Sequence, residues 1–364
     1  MTARIESSLP AQLDRMARAH DARKSRYVLK DERVSLSHGA GGKASHQLLE
    51  GLIFPALASN ALLAQDDAAV LALGDQRLAY TTDSYVVSPI FFPGGDIGSL
   101  SVHGTVNDLA MQGARPLALS VAIVLEEGFE TVELRRVLES MAAAARASGI
   151  EIVTGDTKVV PRGKADRIFI TTSGVGVVPP GVHLSMRNAC AGDRVLVSGA
   201  IGDHGIAVML AREALELESE IRSDSAPLAD LVAALLVAAP GTRALKDPTR
   251  GGVATALNEI AEQAGVGIAI DEEHVPVHDA VRGACEILGL DPMHIANEGK
   301  LIAIVPPDEA DAALGALRAH SLGSEAAIVG DVTNEHQGMV IVRTGIGGSR
   351  VLDMLVGDPL PRIC

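Results

Sequence analysis

The 364-residue chain has no Trp, only 3 Tyr and 5 Phe, and its charge is of the wrong sign for a polyanion: 31 Lys and Arg face 46 Asp and Glu, a formal net charge of −15. Neither the basic stripe nor the stacking rings on which nucleic-acid binders rely are available, so nucleic acid is excluded as an expected partner. Long apolar runs are also missing. The longest, Leu231 to Ala239, is about half of the roughly 20 residues that cross a bilayer, and no secretory core follows Met1. Neither a membrane partner nor a membrane span is expected. Cysteine is scarce and odd in number (Cys190, Cys285, Cys364), which suits a reducing, cytoplasmic setting and offers no zinc-ligand pair. Histidine is no better placed for zinc, because Pro276 breaks the helix that would align His274 with His278.

What is present is aliphatic: 47% of the residues are hydrophobic, and the length suits two domains with cores of their own. Residues 1–33 form a basic extension. From Val34 to Pro180 short aliphatic runs alternate with helical stretches. The clearest helix follows Thr131, with Leu134, Val137, Leu138, Met141 and Ala145 in register and Gly149 as its stop. Strands are expected at Ile150 to Val153 and Arg167 to Val178, and Pro179-Pro180-Gly181 marks the domain boundary. The second domain, 181–345, repeats the style, with strands at Arg194 to Ser198, Val266 to Ile270 and Leu301 to Val305. Helices fit Ile206 to Leu217, Leu228 to Ala238, Val253 to Ala264 and Ala280 to Leu288. Alternation of this kind implies α/β or α+β layers. The last segment, 346–364, contains Gly347, Gly348, Gly357, Pro359 and Pro361 and reads as a mobile or extended tail with a reach on the order of 60 Å.

Three signals carry chemistry. Carboxylates recur in short, glycine-flanked settings at Asp66-Asp67, Asp83, Asn107-Asp108 and Asp156, each expected at the end of a strand or the start of a helix. As a set they suit Mg²⁺ shared with nucleotide phosphates; singly, each would serve equally as a cap or turn residue. Ser37-His38-Gly39-Ala40-Gly41-Gly42-Lys43 precedes a helix starting near Ala44, and Asp247-Pro248-Thr249-Arg250-Gly251-Gly252 precedes another. Such loops cradle phosphates with backbone N–H groups, or simply turn the chain. The final residue is Cys364, too late for a prenylation signal, and it is either a chance terminus or the cargo end of an arm. Its own α-carboxylate disfavours the thiolate, and Arg362 is the nearby cation in sequence. Cys190 and Cys285 read as small buried residues.

His38 to Lys43, Asp66 to Val70, Thr81 to Gly98, Gly104 to Ala110, Thr154 to Val160 and Pro361 to Cys364 together resemble the HypE family of nickel–iron hydrogenase maturation proteins, in family order and over nearly the whole chain from Val34. The resemblance implies a two-domain fold of the aminoimidazole ribonucleotide synthetase type, a homodimer formed through the N-terminal domain, and ATP bound with Mg²⁺. It implies that a carbamoyltransferase, HypF, loads a carbamoyl group onto the terminal Cys. ATP-dependent dehydration would then give a thiocyanate, and the cyanide would pass to iron on a HypC–HypD complex. On this resemblance Asp67, Asp83, Asp108 and Asp156 are the expected Mg²⁺ ligands, with Asp66 and Asn107 beside them and Gly41, Gly42 and Lys43 over the phosphates. Glu298, in Asn297-Glu298-Gly299-Lys300, is the expected general base, Lys158 the group that polarises the carbamoyl oxygen, and Cys364 the carrier. Thiamine-monophosphate kinase and selenophosphate synthetase share the acidic set but do not explain Pro361 to Cys364.

Overall fold

The computed structural model describes residues 28–57, 59, 61–213, 220–357 and 362–364. Two mixed layers are built in succession. The first holds strands β1 (Ala69–Leu73), β2 (Gln76–Tyr85), β5 (Arg115–Glu126), β6 (Glu151–Val160) and β7 (Ile168–Val178), with a short hairpin β3 (Phe91–Phe92) and β4 (Gly95–Asp96) outside the sheet. Its order is β1-β2-β7-β5-β6, antiparallel except for the parallel β5–β6 pair. Burial alternates residue by residue along β7, as expected for a sheet with one face packed on helices. Those helices are Ile97–Met111 and Thr131–Ala147, the second ending before Gly149, which takes φ +62° as its stop position demands.

The helix Ile97–Met111 has no counterpart in the sequence pattern. It is buried on nearly every side, so its apolar residues show no helical period, and only the Asp96 side chain marks its start by accepting from the N–H groups of Gly98 and Ser99.

The second layer is a seven-stranded sheet, β14-β13-β10-β12-β8-β11-β9. Its strands are β8 (Arg194–Val197), β9 (Ala244–Lys246), β10 (Gly267–Asp271), β11 (Ile302–Val305), β12 (Ala327–Thr333), β13 (Val340–Arg343) and β14 (Ser349–Leu352). Helices Asp203–Glu213, Ala229–Ala238, Gly252–Ala264, Asp279–Leu288 and Ala310–Ala319 flank it, and β11 is buried along its whole length. No described helix is long and apolar enough to cross a membrane.

Two expectations are corrected here. Gly347 and Gly348 do not end ordered structure; they close a hairpin, since Gly347 N–H donates to Thr344 O and Thr344 N–H to Gly348 O, and β14 then pairs with β13 at the sheet edge. Beyond it the chain stays fastened: Met354 is buried, Asn258 donates to Leu352 O, and Lys43 N–H donates to Leu355 O. Cys190 is exposed, not buried, because it lies in the connection leading to β8, where its N–H donates to Asp193.

The N-terminal stretch 36–57 lies against the second layer. A Cβ on Gly41 would meet Arg250 O at 2.6 Å and one on Gly42 would meet Leu355 O at 2.3 Å, so glycine is required at both positions. Asn107, 1% exposed, ties the layers together: its amide donates to Ala226 O and Glu298 O and accepts from Leu228 N–H. The part of the basic extension before residue 28 lies outside the described residues, as do Pro359 and Pro361.

Candidate active site

Where the two layers meet, buried and half-buried acidic side chains from both are gathered. Asp67 precedes β1, Asp83 lies on β2, Asp108 lies near the end of the helix Ile97–Met111, and Asp247 follows β9. None of the predicted carboxylates keeps the expected place at the end of a strand or the start of a helix: Asp66 and Asp67 precede β1, and Asp83, Asp108 and Asp156 lie within elements. Burial raises the Asp108 carboxyl well above the carboxylate range, and the charges of Asp247, Asp83 and Asp67 push in the same direction, while Thr81 Oγ1 donates to it at 2.8 Å. Asp247 is pushed up to about 8 by burial and then by Asp67. Asp66 is raised by burial against the N–H of Met186 and the hydroxyl of Ser185, which both donate to it. Carboxylates held this way gain most from an added cation. Among the described residues, no three His, Cys, Asp or Glu side chains converge on one metal position.

The cation now present is a lysine that the sequence patterns did not single out. Lys246, on β9, reaches Asp67 at 2.5 Å and Glu259 at 3.1 Å, and Glu259 also receives His46 at 3.2 Å. Burial works against the charge on Lys246, but Asp67 and Glu259 outweigh it and hold the ammonium well above its ordinary pKa. Glu259 pays the same burial cost and is nonetheless drawn down to about 2 by Lys246 and His46. Two cavities adjoin this network. One, of about 280 Å³, is lined by the two glycine loops together with Lys246 and Arg250; the other, of about 400 Å³, is lined by Phe54, Leu62, Tyr80 and Met186 beside Asp66 and Asp67. The glycine loops interlock: Thr255 Oγ1 donates to Gly41 O and Arg250 to Gly39 O. Lys43 stands apart, paired with Asp353 at 2.5 Å.

The chain terminus enters the same seam, a docked position of residues 362–364 for the tail expected to be mobile or extended. Val86 N–H donates to Cys364 O at 3.1 Å and Ser88 N–H to Arg362 O at 3.2 Å, while Ile363 is 2% exposed within the first layer's core. Cys364 itself keeps partial access to solvent. Burial pushes its thiol up to about 12; Arg250 opposes the shift, and Glu298, Asp83 and Asp247 add to it. Arg250, not Arg362, is therefore the cation facing the sulfur; Arg362 donates to Val86 O and pairs with Asp166. Glu298 is 3% exposed, its Oε1 has no hydrogen-bond partner, and burial with Asp247, Asp83 and Asp224 raises it well above the usual range against Arg250. A buried carboxyl with a free oxygen near a thiol has the attributes of an acid–base group.

Besides Lys43, two predicted residues are not brought to this place within one chain. Asp156 and Lys158 pair with each other at 2.7 Å on the edge strand β6, with side chains 62% and 68% exposed. The Lys158 hydrogen bond, first among the causes, lowers the Asp156 carboxyl pKa.

Comparison with known proteins agrees with this architecture. Residues 65–178 match the family model described as AIR synthase related protein, N-terminal domain, and residues 191–343 match its C-terminal domain. The carbamoyl dehydratase HypE of Azotobacter vinelandii is 54% identical over 93% of this chain and 100% of its own length. A crystal structure of a HypE–HypF complex superposes with TM-score 0.81 at 47% identity, covering 85% of this chain and 99% of the other, and one of HypE in complex with ATP gives TM-score 0.77 at 47% identity, covering 91% and 100%.

Proposed function

The chain belongs to the HypE family of carbamoyl dehydratases, and from that premise we propose that its terminal Cys364 carries the carbamoyl group which the enzyme dehydrates. It is an ATP-binding dehydratase of hydrogenase maturation, with HypF as a partner. The observation that supports Cys364 as carrier is its thiol at the mouth of a buried acidic seam, next to Arg250 and Glu298.

ATP supplies the electrophilic phosphorus that accepts the carbamoyl oxygen, so that the sum R–S–C(O)NH₂ + ATP gives R–S–C≡N, ADP and phosphate, with the lost water accounted for in the phosphate. The chain's own residues do the rest. Glu298, once ionised against Arg250, takes up an N–H proton through its unpartnered oxygen, and the burial that raises its pKa makes that carboxylate a strong base. Arg250 faces the group on the sulfur as a fixed cation. The cavity of glycine loops, Lys246 and Arg250 fits phosphates, and the neighbouring one, with Phe54, Leu62 and Tyr80, fits a base. Mg²⁺ takes few protein ligands and shares phosphate oxygens, so Asp67, Asp83 and Asp108, with Asp66 adjacent, suit it without a closed protein cage. Lys43 belongs to this reading as a phosphate contact that would first leave Asp353.

Asp156 as a fourth ligand and Lys158 as the group polarising the oxygen require a second copy to bring them, since in one chain they satisfy each other. A homodimer formed through β6 fits that need: among the described residues the strand pairs only with β5, and it exposes Val153 and Val159. The HypC–HypD complex is the acceptor of the cyanide in this reading, and a free Cys364 thiol calls for a reducing, cytoplasmic setting. Mass spectrometry of the C-terminal peptide after incubation with the carbamoyltransferase, carbamoyl phosphate and ATP tests the reading. A carbamoyl adduct on Cys364 that then loses one water supports it; no adduct sinks it.

A further inference from the structure

His204 has no part in the chemistry above, yet it is fully buried and joins three segments. It opens the helix Asp203–Glu213, its Nδ1 lies 2.8 Å from Ser223 Oγ, and its Nε2 lies 3.0 Å from Ile363 O. The partners fix the tautomer. A carbonyl only accepts, so Nε2 carries the hydrogen and Nδ1 accepts from the Ser223 hydroxyl, which itself receives Ser225 N–H. The ring of Phe92 meets the imidazole edge-on at 5.5 Å and 89°, which holds its plane. Desolvation lowers the pKa of this imidazole, in keeping with a neutral ring.

Besides the Arg362 side chain on Val86 O and Asp166 and the buried Ile363 side chain, the tail is held through its main chain. Val86 and Ser88 N–H groups take Cys364 O and Arg362 O, and Arg212 donates to Arg362 O at 2.9 Å. The His204 bond is directed at the peptide immediately before the cysteine. We propose that His204 is a positioning residue that sets the register of the C-terminal peptide, holding the Ile363 carbonyl so that the sulfur of Cys364 stands opposite Arg250 and Glu298. In this arrangement the site recognises a free C-terminal dipeptide by its backbone and by one apolar side chain, Ile363, and the cysteine side chain is left for chemistry. The proposal rests on Cys364 being the carrier, but its first readout needs neither ATP nor a carbamoyl group.

The test is alkylation of the full-length protein by iodoacetamide at pH 8, followed by peptide mass spectrometry. The three cysteines divide the work: exposed Cys190 reports reagent activity, buried Cys285 reports loss of fold, and Cys364 reports docking. His204→Phe, which keeps a flat ring but cannot donate, is expected to speed Cys364 alkylation at least about tenfold while Cys285 stays protected, because a released thiol recovers an ordinary pKa. His204→Gln, whose amide still donates from a similar point, is expected to stay within about threefold of the parent. Unchanged Cys364 protection in His204→Phe, or a Gln variant as reactive as the Phe variant, overturns the proposal.

If Cys285 also becomes reactive, inserting one glycine between Ile363 and Cys364 decides the matter, since a change at the terminus leaves the body intact. That insertion is expected to retain ATP binding and carbamoylation but to slow water loss at least about tenfold, as a misplaced reacting group does. Water loss at the parental rate overturns the register claim. A parent that loses no water condemns the dehydratase reading instead, and leaves the alkylation result standing.

Discussion

Asp108 and Asp156 look alike in sequence, each a carboxylate in a short motif with small neighbours, and their surroundings drive them in opposite directions. Asp108, largely desolvated, faces Asp247, Asp83 and Asp67, and its protonated form is favoured; Asp156 lies in water beside Lys158, and its charge is favoured. The seam stores unfavourable electrostatics and the edge strand does not. A site built to receive a cation and polyphosphate takes the first form, because preorganised carboxylates repel each other until the ligand arrives. The edge-strand pair is complete as it stands, and becomes chemical only if another surface displaces its partner.

The comparison can be broken most sharply at Glu298. Glu298→Gln is expected to leave carbamoylation of Cys364 intact and to slow water loss by about 10²–10⁴, the span of a general base; an intact mass that still drops by one water at the parental rate removes Glu298 from that role. Next in size is Lys246→Met, which strands Asp67 and Glu259 in the seam. It is expected to cost about 3–5 kcal/mol in urea unfolding of the metal-free protein, the cost of a broken buried pair. A loss below about 1 kcal/mol would mean that the seam is wetter than its burial implies.

Asp247→Asn is expected to act in the opposite sense. With a folded pKa of about 8 against an ordinary value of 3.8, the folded state keeps a proton that the unfolded chain releases, so the native protein loses stability as pH rises from 4 to 8. The amide removes that loss. The variant is expected to gain up to about 5 kcal/mol over the parent at pH 8, and little at pH 4, in paired denaturation curves. An equal gain at both pH values would refute the raised pKa. The smallest effect belongs to the edge strand: Asp156→Asn is expected to leave the melting temperature of the protein unchanged in calorimetry, while ATP turnover falls only if a second copy uses that carboxylate.

The fold was legible wherever one face of an element meets water. Thr131–Ala147 and Asp279–Leu288 show their periods because each has a wet side, whereas Ile97–Met111 is buried all round and left only its cap to read. The carboxylates of the site were legible as residue types, because Asp between small residues is conspicuous; their separation into a buried set and an exposed pair depends on strand order and was not. Lys246, Glu259 and His46 come from a strand and two helices far apart in sequence, and no local pattern joins them. One clue was present. Glu259 is a charged residue on a helix whose neighbours Ala256, Leu257 and Ile260 are buried, a position that asks for a partner.

The fastening of Leu355 O to Lys43 N–H has a consequence for the carrier's range. With that bond as pivot, Cys364 lies nine chain steps beyond Leu355, and a released thiol travels about 30 Å at most, half of what an unfastened tail would allow. Confined to that sphere, the thiol sees its own seam at an effective concentration on the order of 10 mM. A tail from a separate molecule at micromolar levels cannot compete for the pocket, and an acceptor of the product has to come to the enzyme, because the cargo never leaves its neighbourhood.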